Sequence, residues 1–238
     1  MKSKKTHARN ELKFVISEHQ AKMLQMRLEG LLPLDPHTDT EKGHYGIRSL
    51  YFDDLRDSCL HHNEFSLGRR KKYRIRTYGD STDFFVLEKK EKQNSLSKKT
   101  SCVLTDDEYE KLCTGRVGGL YWESEKPLVK ELVLAIMRHR FAPKVIIRYE
   151  RTAFVHIPGN VRVTLDRNIS ASYDLDRFRS NTDRPIPVQE AGRHVLEVKF
   201  DVFLPSYIKQ LIQLDSLEQA TFSKYYLGRM TSKNHGGI

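Results

Sequence analysis

This chain is short of negative charge. Against 41 Lys and Arg stand 31 Asp and Glu, so 238 residues carry a formal net charge of +10 and a pI near 9.4. Such an excess points to a polyanionic partner: nucleic acid, an anionic membrane, or a phosphate-rich small molecule. Cysteine is scarcer still. Cys59, Cys102 and Cys113 are odd in number, far apart and form no C-x-x-C, which argues against a disulfide framework or a zinc site and fits a reducing compartment. No run approaches the ~18 apolar residues of a spanning helix, and the basic, polar first 13 residues lack the apolar segment of a secretory signal. A cytoplasmic protein with no membrane span is expected. There is no P-loop, no Rossmann glycine pattern and no Ser-His or Cys-His arrangement, which suits chemistry that requires no side-chain nucleophile.

Length and the 38% hydrophobic content allow one large domain or two small ones. With no linker and no repeat, the expectation is a single unit over 9–230 with flexible tails at 1–8 and 231–238. Alternation of apolar and polar residues predicts strands over 9–16, 47–53, 69–78, 84–90, 96–104, 145–157, 161–166 and 195–200. Capping boxes at Ser17-x-x-Gln20 and Thr105-x-x-Glu108 predict two helix starts, the first helix carrying Ala21, Leu24, Leu28 and Leu31 on its apolar stripe. Helical spacing recurs over 128–141, after Pro205 and over 222–230; residues 173–193 read as a long surface loop. Most strands follow one another locally, which favours antiparallel pairing. The fold class expected is α+β, built on a large antiparallel sheet or barrel.

The polar faces of these strands are unusual. A strand advances ~3.3 Å per residue, so the Glu and Lys of Glu11-Leu-Lys13, Glu88-Lys-Lys90 and Glu197-Val-Lys199 share one face about 6.6 Å apart. Over the five cleanest strands that face carries Arg9, Lys13, Lys72, Arg74, Arg76, Lys90, Arg162 and Lys199 against Glu11, Glu88, Asp166 and Glu197. An antiparallel sheet commonly turns one face to water, and a wet charged surface is the plain reading. Two features argue for enclosure instead: Thr164 is nearly the only neutral polar member of the face, and several amphipathic helices are available to cover the apolar side. A sheet covered outside and charged inside, closed with about eight strands, leaves a lumen wide enough for a slender ligand. Arg forks and Lys ammonium groups suit phosphate oxygens, and a few carboxylates among them suit a divalent metal bridging phosphate to protein. Nucleic acid is not expected, because the aromatic residues fall mostly on the opposite faces rather than among the basic ones.

Eight short motifs occur in order: R-N-E-L-K-F-V-I-S (9–17), S-L-Y-F-D (49–53), R-K-K-Y-R-I-R-T-Y-G (70–79), L-E-K-K (87–90), Y-E-R-T-A-F (149–154), R-V-T-L-D (162–166), V-L-E-V-K-F (195–200) and F-S-K-Y (222–225). Together they resemble the VTC domain, the polyphosphate polymerase branch of the CYTH or triphosphate tunnel metalloenzyme superfamily. The resemblance implies an eight-stranded antiparallel barrel, or tunnel, with helices packed outside. It implies transfer of the γ-phosphoryl of ATP to a growing polyphosphate chain with a divalent metal, Mn2+ or Mg2+, as cofactor. It also implies phosphate contacts at Lys13, Arg74, Arg76, Lys90, Lys98, Arg151, Arg162, Lys199 and Lys224, a catalytic set of Arg74, Arg76, Lys90, Arg151, Arg162 and Glu197, and Glu197 as the metal ligand.

A one-residue register slip would turn Lys99 inward in place of Lys98. Arg148 and Glu150 fall on the strand face opposite Arg151, and Glu11 and Glu88 are placed to hold lysines. The wider superfamily opens with E-x-E-x-K, whereas here the first position is Arg9, which removes one carboxylate and favours the polymerase branch. Where the eukaryotic branch has a second lysine before F-S-K, this chain has Thr221. Two other activities stay open: hydrolysis of a triphosphate or nucleoside triphosphate on the same scaffold, and polyphosphate binding without turnover.

Overall fold

A computed structural model describes residues 9–39, 41–64, 69–93, 96–213 and 217–234; of the tails expected at 1–8 and 231–238, residues 1–8 and 235–238 lie outside them, while 231–234 are the last turn of a helix, Lys224–Asn234, rather than tail. Among the described residues are nine strands: β1 (Asn10–Ser17), β2 (Tyr45–Asp53), β3 (Arg69–Tyr78), β4 (Val86–Gln93), β5 (Leu96–Val103), β6 (Ala142–His156), β7 (Val161–Ser172), β8 (Ile186–Pro187) and β9 (Arg193–Phe200). Seven helices accompany them: α1 (Glu18–Glu29), α2 (Ser58–Glu64), α3 (Asp106–Thr114), α4 (Leu120–Glu123), α5 (Pro127–His139), α6 (Ser206–Leu211) and α7 (Lys224–Asn234). No described helix is long and apolar enough to cross a membrane.

Local chemistry sets the boundaries. Ser17 Oγ accepts from the Gln20 amide at 3.2 Å while Gln20 Oε1 accepts from the Ser17 amide at 2.8 Å, the reciprocal bond pair of a capping box. Thr105 and Glu108 repeat it at 3.2 and 2.9 Å. Gly30 ends α1 at its C-cap, so Leu31, expected on the buried stripe, is 65% exposed and Leu32 is buried in its place. Within 173–193, expected to be loop, β8 adds two residues of pairing to β7, and β7 runs six residues past its expected end.

All pairings are antiparallel, in the order β1-β9-β7-β6-β2-β3-β4-β5 with β8 on β7. The antiparallel α+β expectation therefore holds. Barrel closure does not: β1 and β5 are the two edges, and no ladder joins them among the described residues. Side chains nevertheless span the gap, since Lys90 Nζ of β4, next to the β5 edge, lies 2.9 Å from Glu11 Oε2 of β1. The sheet is thus curled into a trough whose open side is spanned by an ion pair rather than by backbone hydrogen bonds.

Three apolar clusters hold this shape. Outside, Leu50, Phe52, Tyr73, Ile75, Phe85 and Leu87 pack against α3 and α5, with Leu128, Leu132 and Ile136 in contact. Also outside, Phe14, Ile16, Val163, Leu165, Leu196 and Val198 pack against α1 and α6. The third cluster lies inside the curl, where Ile47, Tyr51, Val145, Ile147, Tyr149, Ala171 and Val195 meet Phe222 and Tyr225. Gly228 lets α7 seat there: a Cβ at that position would stand 2.3 Å from Ile147 Cδ1 and 3.4 Å from Ala171 Cβ. Part of the concave face is consequently filled by protein, and the rest is charged.

Candidate functional site

Alternation along each strand delivers the charged half of the trough. In β3, Tyr73 and Ile75 face the outer core while Lys72, Arg74 and Arg76 face inward; in β4, Phe85 and Leu87 go out and Glu88 and Lys90 go in. Lys89, on the outer side, is satisfied by Glu131 of α5 and Glu91. The register Lys13↔Glu197↔Thr164 and Glu11↔Lys199↔Arg162 then lines up β1, β9 and β7 across the same face.

Two groups of charges result. Around Glu88, which is 3% exposed, Arg74 donates from Nε at 2.7 Å and lies within 2.6 Å through Nη2, Arg76 Nη1 is at 3.6 Å, and Lys99 makes a close ion pair. Arg74 also reaches Tyr51 Oη at 2.8 Å, and Arg76 reaches Ser49 Oγ at 3.3 Å and Tyr149 Oη at 3.1 Å. Burial pushes the Glu88 carboxyl up, but Arg74, Arg76 and Lys99 override it and hold the group well below the usual range. The same guanidinium groups bring the buried Tyr51 phenol down to about 8.

Around Glu197, Lys199 Nζ is at 3.0 Å, Arg151 Nη2 at 3.5 Å and Lys13 Nζ at 3.7 Å. Arg151 is gripped by Asp166 through two bonds of 2.6 and 2.7 Å, and Lys224 Nζ lies 2.6 Å from Asp166 Oδ2. Burial opposes ionisation of Glu197, yet Lys199, a hydrogen bond with Glu11, Lys13 and Arg151 keep it far below its ordinary value. Asp166, buried but beside Arg151 and Lys224, is lowered to about 2. Glu11 sits within 3.6 Å of both Lys13 and Lys199 as well as pairing with Lys90, so it joins the two groups. Arg162 lies to one side, 2.9 Å from Asp35 and 3.0 Å from Tyr45 Oη.

The concave face thus gathers Lys13, Lys72, Arg74, Arg76, Lys90, Lys99, Arg151, Arg162, Lys199 and Lys224 around Glu11, Glu88, Asp166 and Glu197. Lys98 is not among them. Pairing of Lys90 with Lys99 and of Glu91 with Lys98 puts Lys99 on the charged face and Lys98 on the other, because a one-residue change of register exchanges the faces. Arg9 pairs with Asp201 at 3.0 Å, beyond the start of β1. Tyr45, Tyr51 and Tyr149 were not singled out from the sequence, although Tyr149 shares parity with Arg151 two residues on.

Among the described residues no group of three or more His, Cys, Asp or Glu could cage a metal ion. Glu197 and Glu11, flanked by the same two lysines, Lys13 and Lys199, form a donor set of two carboxylates. Such a pair suits a hard divalent cation that takes its remaining ligands from phosphates and water. In that sense the residues fit the implied metal.

No curated protein sequence matches the chain significantly. Among solved structures, an adenylate cyclase-like protein from Bacillus halodurans aligns with a TM-score of 0.53 at 14% identity, covering 91% of this chain and 94% of that one, and shares the fold. Protein PH1819 from Pyrococcus horikoshii OT3 aligns at 0.47 and 13% identity over 94% and 99%. The Mimivirus capping enzyme triphosphatase aligns at 0.40 and 12% over 90% of each chain. The VTC domain family model matches residues 8–233. With the match extending over nearly its whole length, the chain belongs to the VTC domain family.

Proposed function

We propose that the protein is a polyphosphate polymerase-like enzyme that transfers the γ-phosphoryl of ATP to the end of a polyphosphate chain lying in the trough. The observation that carries this reading is the surplus of cations: ten Lys and Arg share one concave face with four carboxylates of its strands, Asp35 adding a fifth beside Arg162. Such a surface is complementary to a string of phosphates rather than to a single one. Phosphoryl transfer asks little covalent chemistry of a protein and much positioning and charge stabilisation. A terminal phosphate oxygen of the chain attacks the γ-phosphorus, the bond to the bridging oxygen breaks, and ADP leaves; no side-chain nucleophile is needed. Arg74 and Arg76, fixed by Glu88, Tyr51, Ser49 and Tyr149, present N–H groups to phosphate oxygens, and Arg151 is oriented by Asp166. Lys13, Lys90, Lys99, Lys199 and Lys224 supply further charge, and Arg162 stands at the side near Asp35. A divalent ion bound by Glu197, with Glu11 beside it, would supply neutralisation of charge on the phosphate oxygens.

Purified protein with ATP and Mn2+ should yield long phosphate chains and ADP, resolved on a gel and by phosphorus NMR. Release of ADP and orthophosphate alone would assign water as the acceptor and make the protein a triphosphatase. Tight polyphosphate binding with no turnover would make it a binding module. Arg74→Ala combined with Arg76→Ala should abolish turnover and the tight polyphosphate binding; turnover retained in that variant would refute the trough as the site.

A further inference from the structure

The face of the sheet opposite the trough holds a second concentration of arginine that the reaction does not use. Arg48 of β2 and Arg148 of β6 are direct cross-strand partners, a placement of like charges that is unfavourable by itself. Arg48 is 3% exposed. Its Nη2 donates to the Ser81 carbonyl, but its Nε and Nη1 meet no acceptor among the described residues. Arg148 is better matched: its Nε donates to Asp183 at 2.8 Å and its Nη1 to Asn181. Together with Lys42, His44 and Ser170 the two arginines line a cavity of about 450 Å3 beside the Gly46–Gly79 crossing.

Carboxylates border the same cavity, yet each is already engaged. Asp39 accepts from the backbone amides of Glu41 and Lys42 at 2.9 and 3.0 Å, Asp80 from the Asn181 amide at 3.0 Å, and Glu150 from the Asn168 amide at 2.8 Å. The Arg48 guanidinium is therefore a buried cation with two donors that meet no acceptor among the described residues, Asp80 acting on it without a direct bond, a costly arrangement unless an anion completes it. Burial and the neighbouring Arg48 push the Arg148 guanidinium down to about 10, in line with a cationic pair that is incompletely neutralised.

We propose that this cavity is a second anion site, distinct from the trough's two charge groups although Tyr45, Ile47 and Tyr149 of the inward face also line it, and that it takes a phosphate group on the paired guanidinium forks of Arg48 and Arg148. Free orthophosphate and the end group of a phosphate chain share that chemistry. The experiment uses full-length protein carrying Arg74→Ala and Arg76→Ala, so that the trough's principal forks are gone. Orthophosphate and tripolyphosphate are titrated into it by calorimetry. One binding event should remain, weakened at least tenfold by Arg48→Gln. It should be weakened similarly by Asn168→Asp, which adds a negative charge at an exposed lining position and leaves the core untouched. The tighter of the two ligands identifies the source as free phosphate or chain end. Absence of a residual event, or an event that Asn168→Asp leaves unchanged, would overturn the proposal.

Discussion

Replacing Glu88 with Gln separates a charged trough built for an anion from one that is merely a polar interior. Glu88 is nearly the same size as Gln, is 3% exposed, and is shared by Arg74, Arg76 and Lys99. The substitution removes one negative charge from a face already short of them. Removing one partner of a buried ion pair costs about 3–5 kcal/mol. Here the lower end applies, because Arg74 keeps Tyr51, Arg76 keeps Ser49 and Tyr149, and the amide oxygen of the new side chain still accepts a hydrogen bond. About 3 kcal/mol in a chain of this size lowers Tm by about 6–12 °C.

The decisive arm is ligand. A polyanion in the trough supplies the negative charge that the substitution removes, so tripolyphosphate should raise the Tm of Glu88→Gln by more than it raises that of the parent protein, by the linkage of binding to folding. The pH dependence follows from sign. Glu88 has a folded-state value below its ordinary 4.5, so its contribution is complete above pH 4.5 and is lost as pH falls toward the folded-state value. Melting curves of parent and variant should accordingly converge in acid. Differential scanning calorimetry at a series of pH values, with and without tripolyphosphate, measures both effects. A Tm unchanged at neutral pH, or a ligand-induced rise no larger than the parent's, would refute the account of Glu88 as the carboxylate that holds three cations in place for an anion.

Lys99→Ala should weaken triphosphate binding severalfold while Lys98→Ala leaves it unchanged, measured by calorimetric titration; equal effects would contradict the β4–β5 register. Asp166→Asn leaves Arg151 and Lys224 without their shared carboxylate and should destabilise the fold by about 3–5 kcal/mol, read from the urea midpoint. Tyr51 should titrate near pH 8 by ultraviolet difference absorbance and return toward its ordinary value of 10.0 in Arg74→Gln. Because its folded-state value lies below the unfolded one, that titration adds stability only as pH rises from about 8 to 10 and adds none below.

Much of this site was legible because strands alternate. Arg74, Arg76, Glu88, Lys90, Glu197 and Lys199 could be put on one face from period two alone, and ordered motifs gave that face a family. Lys98 could not be separated from Lys99, since adjacent lysines satisfy either register and only the pairing with β4 decides. Leu31 and Leu32 are a similar case, decided by Gly30 ending α1. The far half of β7 reads Ser170-Ala171-Ser172, small and polar, and is a strand because β6 and β8 pair with it. Openness of the sheet was out of reach as well: contact between the β1 and β5 edges depends on the accumulated curl of every pairing between them, which no local pattern encodes.

The placement of α7 has the largest consequence for the trough. Its residues looked like one more outer helix, yet Val145, Ile147 and Val195, inward on their strands, are apolar where the same strands' Arg151 and Glu197 are charged. An apolar inward stretch must be covered, and α7 covers it. Tyr225 is anchored on Asp53, and Arg229 holds Asp57 at 2.8 and 3.0 Å. The first residue of the same helix carries Lys224 to Asp166. The trough is therefore stopped at one end by a helix that also contributes a cation to it, and the long axis left for an anion runs from Lys224 and Arg151 past Glu197 toward Lys90, Lys99 and the two edges. A linear chain of phosphates matches that axis better than a compact anion does, because the positive charges are spread along it rather than gathered at one point.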